Sequence, residues 1–279
     1  LVSVVIATIG SEHLSETISS LNKGKLIPDE ILICIPKNIK INKLESRYNN
    51  IKILNCPKRG QVAQRIFGFK NAKNELVLQL DDDVILQKTC LYILVKYIER
   101  HQSSSVGPQI YDAVSKKYTS FLIPHNNEYN IFNRFIYFII NGKNGFIPGA
   151  ISDSGINMGI PEDYEDYKNI GWLPGCCILH KREALILEDY FPFKGKAYSE
   201  DLIHSVHLRE RLRTIDRCGN ANIFVYFDKQ VTSIKMTFIE IIKYYKVMSW
   251  FVGRYGGSRF RILLFLFLYY TNLIAMRYY

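Results

Sequence analysis

No apolar run in this chain reaches the ~20 residues that a bilayer-crossing helix requires. The longest, Ile262 to Met276, is fifteen residues. The six cysteines, Cys34, Cys56, Cys90, Cys176, Cys177 and Cys218, form no CxxC pair, and no His or Cys lies at zinc-finger spacing. That excludes a zinc ribbon, a thioredoxin-like redox pair and a small disulfide-stapled scaffold, and the cysteines read as reduced thiols used in packing. The same reading covers the adjacent Cys176 and Cys177, ahead of a strained vicinal disulfide or a soft-metal site. No basic leader precedes Leu1-Val-Ser-Val-Val-Ile6, so the apolar start reads as a first buried strand and not as a signal peptide. Acid is scarce relative to base: 26 Asp and Glu stand against 36 Lys and Arg, a formal charge of +10. Such an excess points to a polyanionic neighbour, whether nucleic acid, an anionic membrane surface or a phosphorylated substrate. The 19 Tyr and 16 Phe fall into no RNP-like, helix-turn-helix or zinc-finger pattern beside the basic residues, which argues against nucleic acid.

What is present is a chain of 279 residues, 48% hydrophobic, long enough to bury one large core or a domain with an appendage. Its first half alternates short apolar runs with helical patterns. Strands are predicted at Val2 to Ala7, Glu30 to Ile35, Ile51 to Leu54 and Leu76 to Leu80, with helices over Leu14 to Leu21 and Val62 to Asn71. Alternating strands and helices imply a parallel, right-handed sheet whose ligands bind at the carboxyl ends of the strands. Thr8-Ile-Gly10, Pro36-Lys37, Pro57 to Gly60 and Asp81 to Asp83 would then share one rim.

Asp81-Asp82-Asp83 ends one apolar segment and begins another. Three adjacent carboxylates repel, and a divalent ion with oxygen ligands or donors from a bound sugar or ribose would relieve the repulsion. The alternative is a solvated acidic turn capping a helix that starts near Gln87. Beyond it the pattern predicts a helix over Leu91 to Glu99, a loop at Ser103 to Pro108, a strand near Gln109 to Tyr111, and loops with short elements lying over the site from Asp112 to Ile170. Trp172 to His180 reads as a tight turn and a strand, and Arg182 to Leu187 as a helix. Ser199 is placed as N-cap of a helix over Leu202 to Leu212, where Glu200 and Asp201 would also gain from the helix dipole. Two further strands fit Ile215 to Arg217 and Ile223 to Phe227. The tail from Phe238 holds an amphipathic stretch, the basic Arg254-Tyr-Gly-Gly-Ser-Arg-Phe-Arg261 and the apolar Ile262 to Met276. It suits an interfacial membrane anchor, or a helix packed on the main domain or on a second subunit in a homodimer.

Taken in order, several segments resemble the family 2 glycosyltransferases of the GT-A fold, bacterial enzymes that invert the anomeric centre. Val2 to Thr8 looks like their opening strand, Gly60-Gln-Val-Ala-Gln-Arg65-Ile-Phe-Gly68 like the helix after the third strand, and Leu80 to Asp83 like the DxD element. Gly175-Cys176-Cys177 is similar to their acceptor-side turn, and Ser199-Glu200-Asp201-Leu202 to their Glu-Asp motif. The resemblance implies an α/β fold with a Rossmann-like, mostly parallel sheet flanked by helices and a helical, basic and aromatic C-terminal extension. Residues 1–237 would form the catalytic domain, with 1–111 binding the nucleotide sugar and 112–237 the acceptor, and 238–279 the extension.

The activity implied is metal-dependent transfer of one hexosyl or N-acetylhexosaminyl group from a nucleotide diphosphate sugar, with UDP as the expected nucleotide. The acceptor would be a hydroxyl of a lipid-linked, lipopolysaccharide or other polysaccharide precursor such as O-antigen, at the cytoplasmic face of the cell membrane. Asp201 would be the general base and Glu200 would position the acceptor. Ala7, Thr8, Ile9, Arg65, Asp81 and Asp82 would contact the donor, Asp83 would hold Mn²⁺ or Mg²⁺, and Gly175, Cys176 and Trp172 would line the acceptor side. Lys58 and Arg59 also lie near the rim.

The chain departs from the pattern in two places. No acid follows the second strand at Pro36, where many relatives contact the base. No His follows the last strand, where Asp228, Lys229 or Lys235 would have to substitute. A sugar nucleotidyltransferase is the alternative within the fold, but Thr8-Ile-Gly-Ser-Glu-His13 lacks its glycine-rich phosphate loop. A non-catalytic nucleic-acid or anion-binding module is the alternative outside it.

Overall fold

The apolar run Val2–Ala7 forms the first strand, β1, buried along nearly its whole length as a central parallel strand must be. It belongs to a computed structural model that describes residues 1–39, 48–120, 131–193, 197–227 and 234–278, with backbone alone at 131–133, 234–238 and 270–278. The chain divides into two compact units, Leu1–Thr119 with Glu162–Phe227, and Ser120–Pro161 with Asp228–Tyr279.

In the first unit, β1 pairs in parallel with β2 (Glu30–Pro36) on one side and β4 (Leu76–Leu80) on the other, and β2 pairs in parallel with β3 (Ile51–Cys56). Two helices, α1 (Leu14–Asn22) and α2 (Gln61–Asn71), connect these strands. Leu14, Thr17, Ile18 and Leu21 are the buried face of α1, at the i, i+3, i+4, i+7 spacing of one helix side. The same spacing on α2 buries Val62, Arg65, Ile66 and Phe69, so a guanidinium stands inside an otherwise apolar stripe.

The other half of the sheet departs from the parallel scheme. Its order is β3-β2-β1-β4-β7-β6-β8-β5, with β5 at Val84–Leu86, β6 at Ser105–Asp112, β7 at Cys177–Lys181 and β8 at Ile215–Val225. β7 runs antiparallel between β4 and β6, and β5 antiparallel to β8. An antiparallel neighbour presents its start where a parallel strand presents its end. Leu80 therefore faces Cys177 and Val84 faces Val225, and the start of β7 and the end of β8 join the rim that carries Asp81 to Asp83.

Several local expectations change. The strand expected near Gln109 begins at Ser105, within the predicted loop, because Ser105 and Val106 pair with β7 and β8. The two short strands after Ile215 are one strand, bridged through Cys218 to Asn222. The helix expected over Arg182 to Leu187 is a single 3₁₀ turn, Arg182–Ala184. Helix α3 (Cys90–His101) has Thr89 as N-cap and no acid in its first turn, and β5 intervenes, so the acidic triplet does not cap it.

In the second unit the segment expected to hold loops and short elements contains an eleven-residue helix, α4 (Ile131–Asn141), and the tail forms two long helices, α6 (Ile234–Tyr255) and α7 (Arg259–Tyr278). Gly256 and Gly257 separate the tail helices at φ values of 90° and 131°, which an L-side chain rarely adopts. Ile262, Phe265 and Leu266 are buried on α7, which packs against α4 and α6. Arg261 reinforces this packing by donating to the carbonyls of Phe138 and Ile139 at the end of α4, at 2.7 and 2.8 Å. The segment 120–161 thus groups with the tail, where the sequence suggested one catalytic domain through residue 237. Asp228 and Lys229 lie outside the described residues, as does the side chain of Lys235.

Candidate active site

Four backbone ends build the rim. Thr8 ends β1, Asp81 to Asp83 follow β4, Gly175 and Cys176 precede β7, and Tyr226 follows β8. The loops are stitched together by main-chain bonds: the Asp81 amide donates to the Cys176 carbonyl at 2.9 Å and the Tyr226 amide to the Asp83 carbonyl at 3.0 Å. Gln64, a buried residue of α2 with no individual role in the sequence reading, donates to the carbonyls of Thr8 and Cys34 at 2.9 and 2.7 Å. It ties the ends of β1 and β2 together. Ile9 projects into solvent beyond the buried Thr8, and Ala7 is partly buried.

The three aspartates have different surroundings. Asp81 accepts from Arg65 Nη2 at 2.6 Å and from Gln61 Nε2 at 3.3 Å. Asp82 accepts a short hydrogen bond from Thr8 Oγ1, while its carbonyl accepts from Thr17 Oγ1 at 3.0 Å. Its carboxyl is raised above the usual range by burial, which the Thr8 bond opposes. Asp83 is pushed up to about 6 by burial and by the charges of Asp81 and Asp82. Among the described residues neither Asp82 nor Asp83 forms an ion pair. Half-buried carboxylates without a cationic partner suit a divalent cation. No group of three or more His, Cys, Asp or Glu side chains among the described residues is arranged to hold a metal.

Sequence reasoning missed the aromatic wall beside Asp83. His13, at the start of α1, stacks on Tyr226 with ring centroids 3.7 Å apart and planes 7° apart, and Tyr226 donates to Glu16 at 2.9 Å. His13 also lies within electrostatic range of Asp83.

The second carboxylate pair opens α5 (Glu200–Glu210). Ser199 is its N-cap but sits in the left-handed region, at φ 52°, and makes no side-chain capping bond, so the expected serine cap is absent. The first turn is anchored instead through Glu200, which is buried and takes Arg65 Nη1 on Oε1 and the Tyr190 hydroxyl on Oε2, the latter at 2.8 Å. Asp201 is partly exposed, and burial together with the Glu200 charge pushes its carboxyl up to about 7. Behind them His180 and His204 lie buried with rings 5.4 Å apart, both held neutral by burial, His204 down to about 3.

Arg65 joins the two carboxylate groups. It is 1% exposed, and both Nη atoms are engaged by Asp81, Glu200 and the Gly175 carbonyl. Burial opposes its charge, but Glu200 and Asp81 outweigh that and keep it protonated. Both Nη atoms are engaged by protein groups, while Nε is buried without a hydrogen-bond partner among the described residues. Gly175 is packed so closely that a Cβ would lie 2.7 Å from Glu200 Oε1, which explains the glycine there. Cys176 is partly exposed and Trp172 is buried.

A mostly parallel sheet with a carboxylate loop after its fourth strand and a second carboxylate pair across the rim is the architecture of a GT-A glycosyltransferase. The profile of glycosyl transferase family 2 matches residues 3–152, more than half of the chain, and the protein belongs to that family. Similar solved structures include GalNAc-T7 with UDP, GalNAc and Mn²⁺, at TM-score 0.55 and 17% identity, covering 81% of this chain and 44% of that one. Residues 1–349 of Staphylococcus aureus TarS align at TM-score 0.55 and 15% identity, covering 95% of this chain and 69% of that one. The same TarS fragment in complex with UDP-GlcNAc aligns at TM-score 0.54 and 15% identity, covering 95% and 70%. At these identities the likeness is one of fold, and the chain spans less than half of GalNAc-T7. Among curated proteins no sequence matches the chain.

Proposed function

We propose that the protein transfers one hexosyl or N-acetylhexosaminyl group from a UDP-sugar, with inversion, to a hydroxyl of a lipid-linked or polysaccharide acceptor. The observation that carries this reading is Asp201, a partly exposed carboxylate raised to about 7 beside Glu200, which Arg65 links to the Asp81 loop. A base for an acceptor hydroxyl needs solvent access and a raised proton affinity, and Asp201 combines them. Glu200, held by Arg65 and Tyr190, orients the first turn of α5 and thereby Asp201. Thr8 and Asp81 to Asp83 form the donor side, with Asp83 the carboxylate that would hold a divalent ion. Such an ion, Mn²⁺ or Mg²⁺ by the hardness of the oxygen donors, would neutralise charge on the departing diphosphate. GalNAc-T7 and TarS, solved with UDP and GalNAc or with UDP-GlcNAc, support the choice of UDP and an N-acetylhexosamine by analogy of fold.

The test is a panel of UDP-, GDP-, ADP- and dTDP-sugars with Mn²⁺, read by donor hydrolysis and by thermal stabilisation. Slow release of UDP and a raised melting temperature with a UDP-sugar are expected. Silence toward every donor overturns the reading, and pyrophosphate release would convert it to nucleotidyl transfer.

The acceptor's lipid character rests on the tail. Residues 228–279 carry eight Lys and Arg against two Asp and Glu. Phe260, Leu263 and Leu264, at i, i+3, i+4 on α7, are exposed, as are Ile239 and Ile242 on α6. No helix among the described residues is long and apolar enough to cross a membrane. Exposed apolar residues beside basic ones suit the interface of an anionic bilayer, here the cytoplasmic face of the cell membrane. The full chain is expected to cosediment with vesicles containing phosphatidylglycerol and poorly with pure phosphatidylcholine. The double variant Phe260→Ser, Leu263→Ser should lose most of that binding. Equal partitioning in all three cases removes the membrane from the proposal.

A further inference from the structure

We propose that Arg65 and Tyr190 are positioning residues that couple the donor side of the site to the acceptor side by holding Glu200 between them. The inference rests on the glycosyltransferase reading and extends it to two side chains that touch neither substrate nor reacting atoms.

In the helix carrying the candidate base one first-turn amide is met by the base itself, Leu202 N–H donating to Asp201 Oδ1 at 3.0 Å, and the residue before the helix adds no cap. Ser199 makes no side-chain cap, so the orphan amides of the first turn of α5 gain no hydroxyl partner from it. Glu200 supplies the anchorage instead, with one carboxylate oxygen on Arg65 and the other on Tyr190. Arg65 comes from α2, 135 residues earlier in the chain, and its second Nη binds Asp81 at 2.6 Å and the Gly175 carbonyl at 3.2 Å. One planar guanidinium thus spans the donor loop, the turn before β7 and the first turn of α5. Asp81 lies two positions from Asp83, and Glu200 is adjacent to Asp201. A shift of the aspartate loop on donor binding is therefore passed to the base through a single rigid group.

Lysine carries the same charge but cannot replace this arrangement, because a point charge on a flexible stem has no fork to hold two carboxylates and a carbonyl in one plane. Tyr190 completes the clamp. Its ring lies 5.5 Å from that of His204 and 5.8 Å from that of His207, so its hydroxyl is directed by packing on α5 itself. Burial and then the Glu200 charge raise the Tyr190 hydroxyl, which therefore stays protonated and donating.

The test compares Arg65→Lys and Tyr190→Phe with wild-type protein in the full chain, using UDP with Mn²⁺ for binding and the active UDP-sugar with its acceptor for kinetics. Tyr190→Phe removes one hydrogen bond to a charged group, and transfer kcat is expected to fall about tenfold. Arg65→Lys is expected to lower it about a hundredfold with a raised acceptor KM. In both variants UDP–Mn²⁺ affinity and slow donor hydrolysis should stay within about threefold of wild type, a split that general loss of folding would not produce. Parallel loss of UDP affinity and transfer in Arg65→Lys would overturn the coupling and return Arg65 to a phosphate contact. Unchanged kcat and KM in Tyr190→Phe, which deletes only a hydroxyl and keeps the inference testable if the arginine variant misfolds, would also overturn it. Wild-type protein that binds no UDP overturns the glycosyltransferase reading and this coupling together.

Discussion

Asp201→Asn is expected to lower the transfer rate by roughly 10²–10⁴-fold, the contribution of a positioned general base. UDP–Mn²⁺ binding should be retained, because Asp201 belongs to the first turn of α5 and not to the Asp81–Asp83 loop proposed to bind the donor. The same substitution should raise thermal stability near pH 8. The Asp201 carboxyl is raised to about 7 in the folded protein, from an ordinary value of 3.8, by burial and by Glu200. Its ionised form is therefore disfavoured on folding, and above about pH 7 the wild type carries that cost in full. As pH falls from about 7 toward 4 the folded protein takes up the proton before the unfolded chain does, and the cost fades. Asparagine carries no charge, so its stability advantage should be largest above pH 7 and vanish near pH 4. Melting curves across that range check the sign, and an advantage that grew on acidification would remove Asp201 as the desolvated carboxylate. The activity profile follows from the same shift: kcat/KM for the acceptor should fall tenfold per unit below about pH 7 as the base protonates.

Asp83→Asn should abolish the metal-dependent part of donor binding, weakening UDP–Mn²⁺ by roughly a hundredfold or more. Asp83 is one of three adjacent carboxylates, is raised to about 6, and forms no ion pair among the described residues. A cation there would meet no ion-paired carboxylate among the described residues. Removing one of three like charges should also raise the melting temperature of the metal-free protein while cancelling the increase on adding UDP with Mn²⁺. Isothermal titration with UDP in the presence and absence of Mn²⁺ measures the first effect and a thermal shift the second. Unchanged UDP–Mn²⁺ affinity would transfer the metal role to another residue of the loop.

The parallel half of the sheet was legible because its strands announce themselves. Val2–Ala7, Glu30–Pro36 and Leu76–Leu80 are β-branched and leucine-rich runs buried along most of their length, and Leu14, Ile18 and Leu21 recur at helical spacing. The other half was less legible, since nothing in the composition of Cys177–Lys181 says that it runs antiparallel between β4 and β6. Arg65 had a readable signal: it falls in the Val62, Ile66 and Phe69 stripe, where a charge must be buried and paired. Tyr190 had none, because it belongs to an irregular segment ten residues before its partner Glu200. The expected Ser199 cap failed for a local reason, a left-handed backbone that does not bring its hydroxyl to the first-turn amides.

By itself the sequence determined the alternation of strands and helices, the acidic triplet at a strand end, the Glu-Asp pair and the basic, apolar tail. These follow from side-chain periodicity and local charge, which neighbours along the chain decide. Only the tertiary structure decided that Arg65 serves Asp81 and Glu200, that His13 meets Tyr226 beside Asp83, and that residues 120–161 group with the tail. Those contacts join positions as far as 213 residues apart. They depend on which strands pair and in which direction, and no local pattern carries that information.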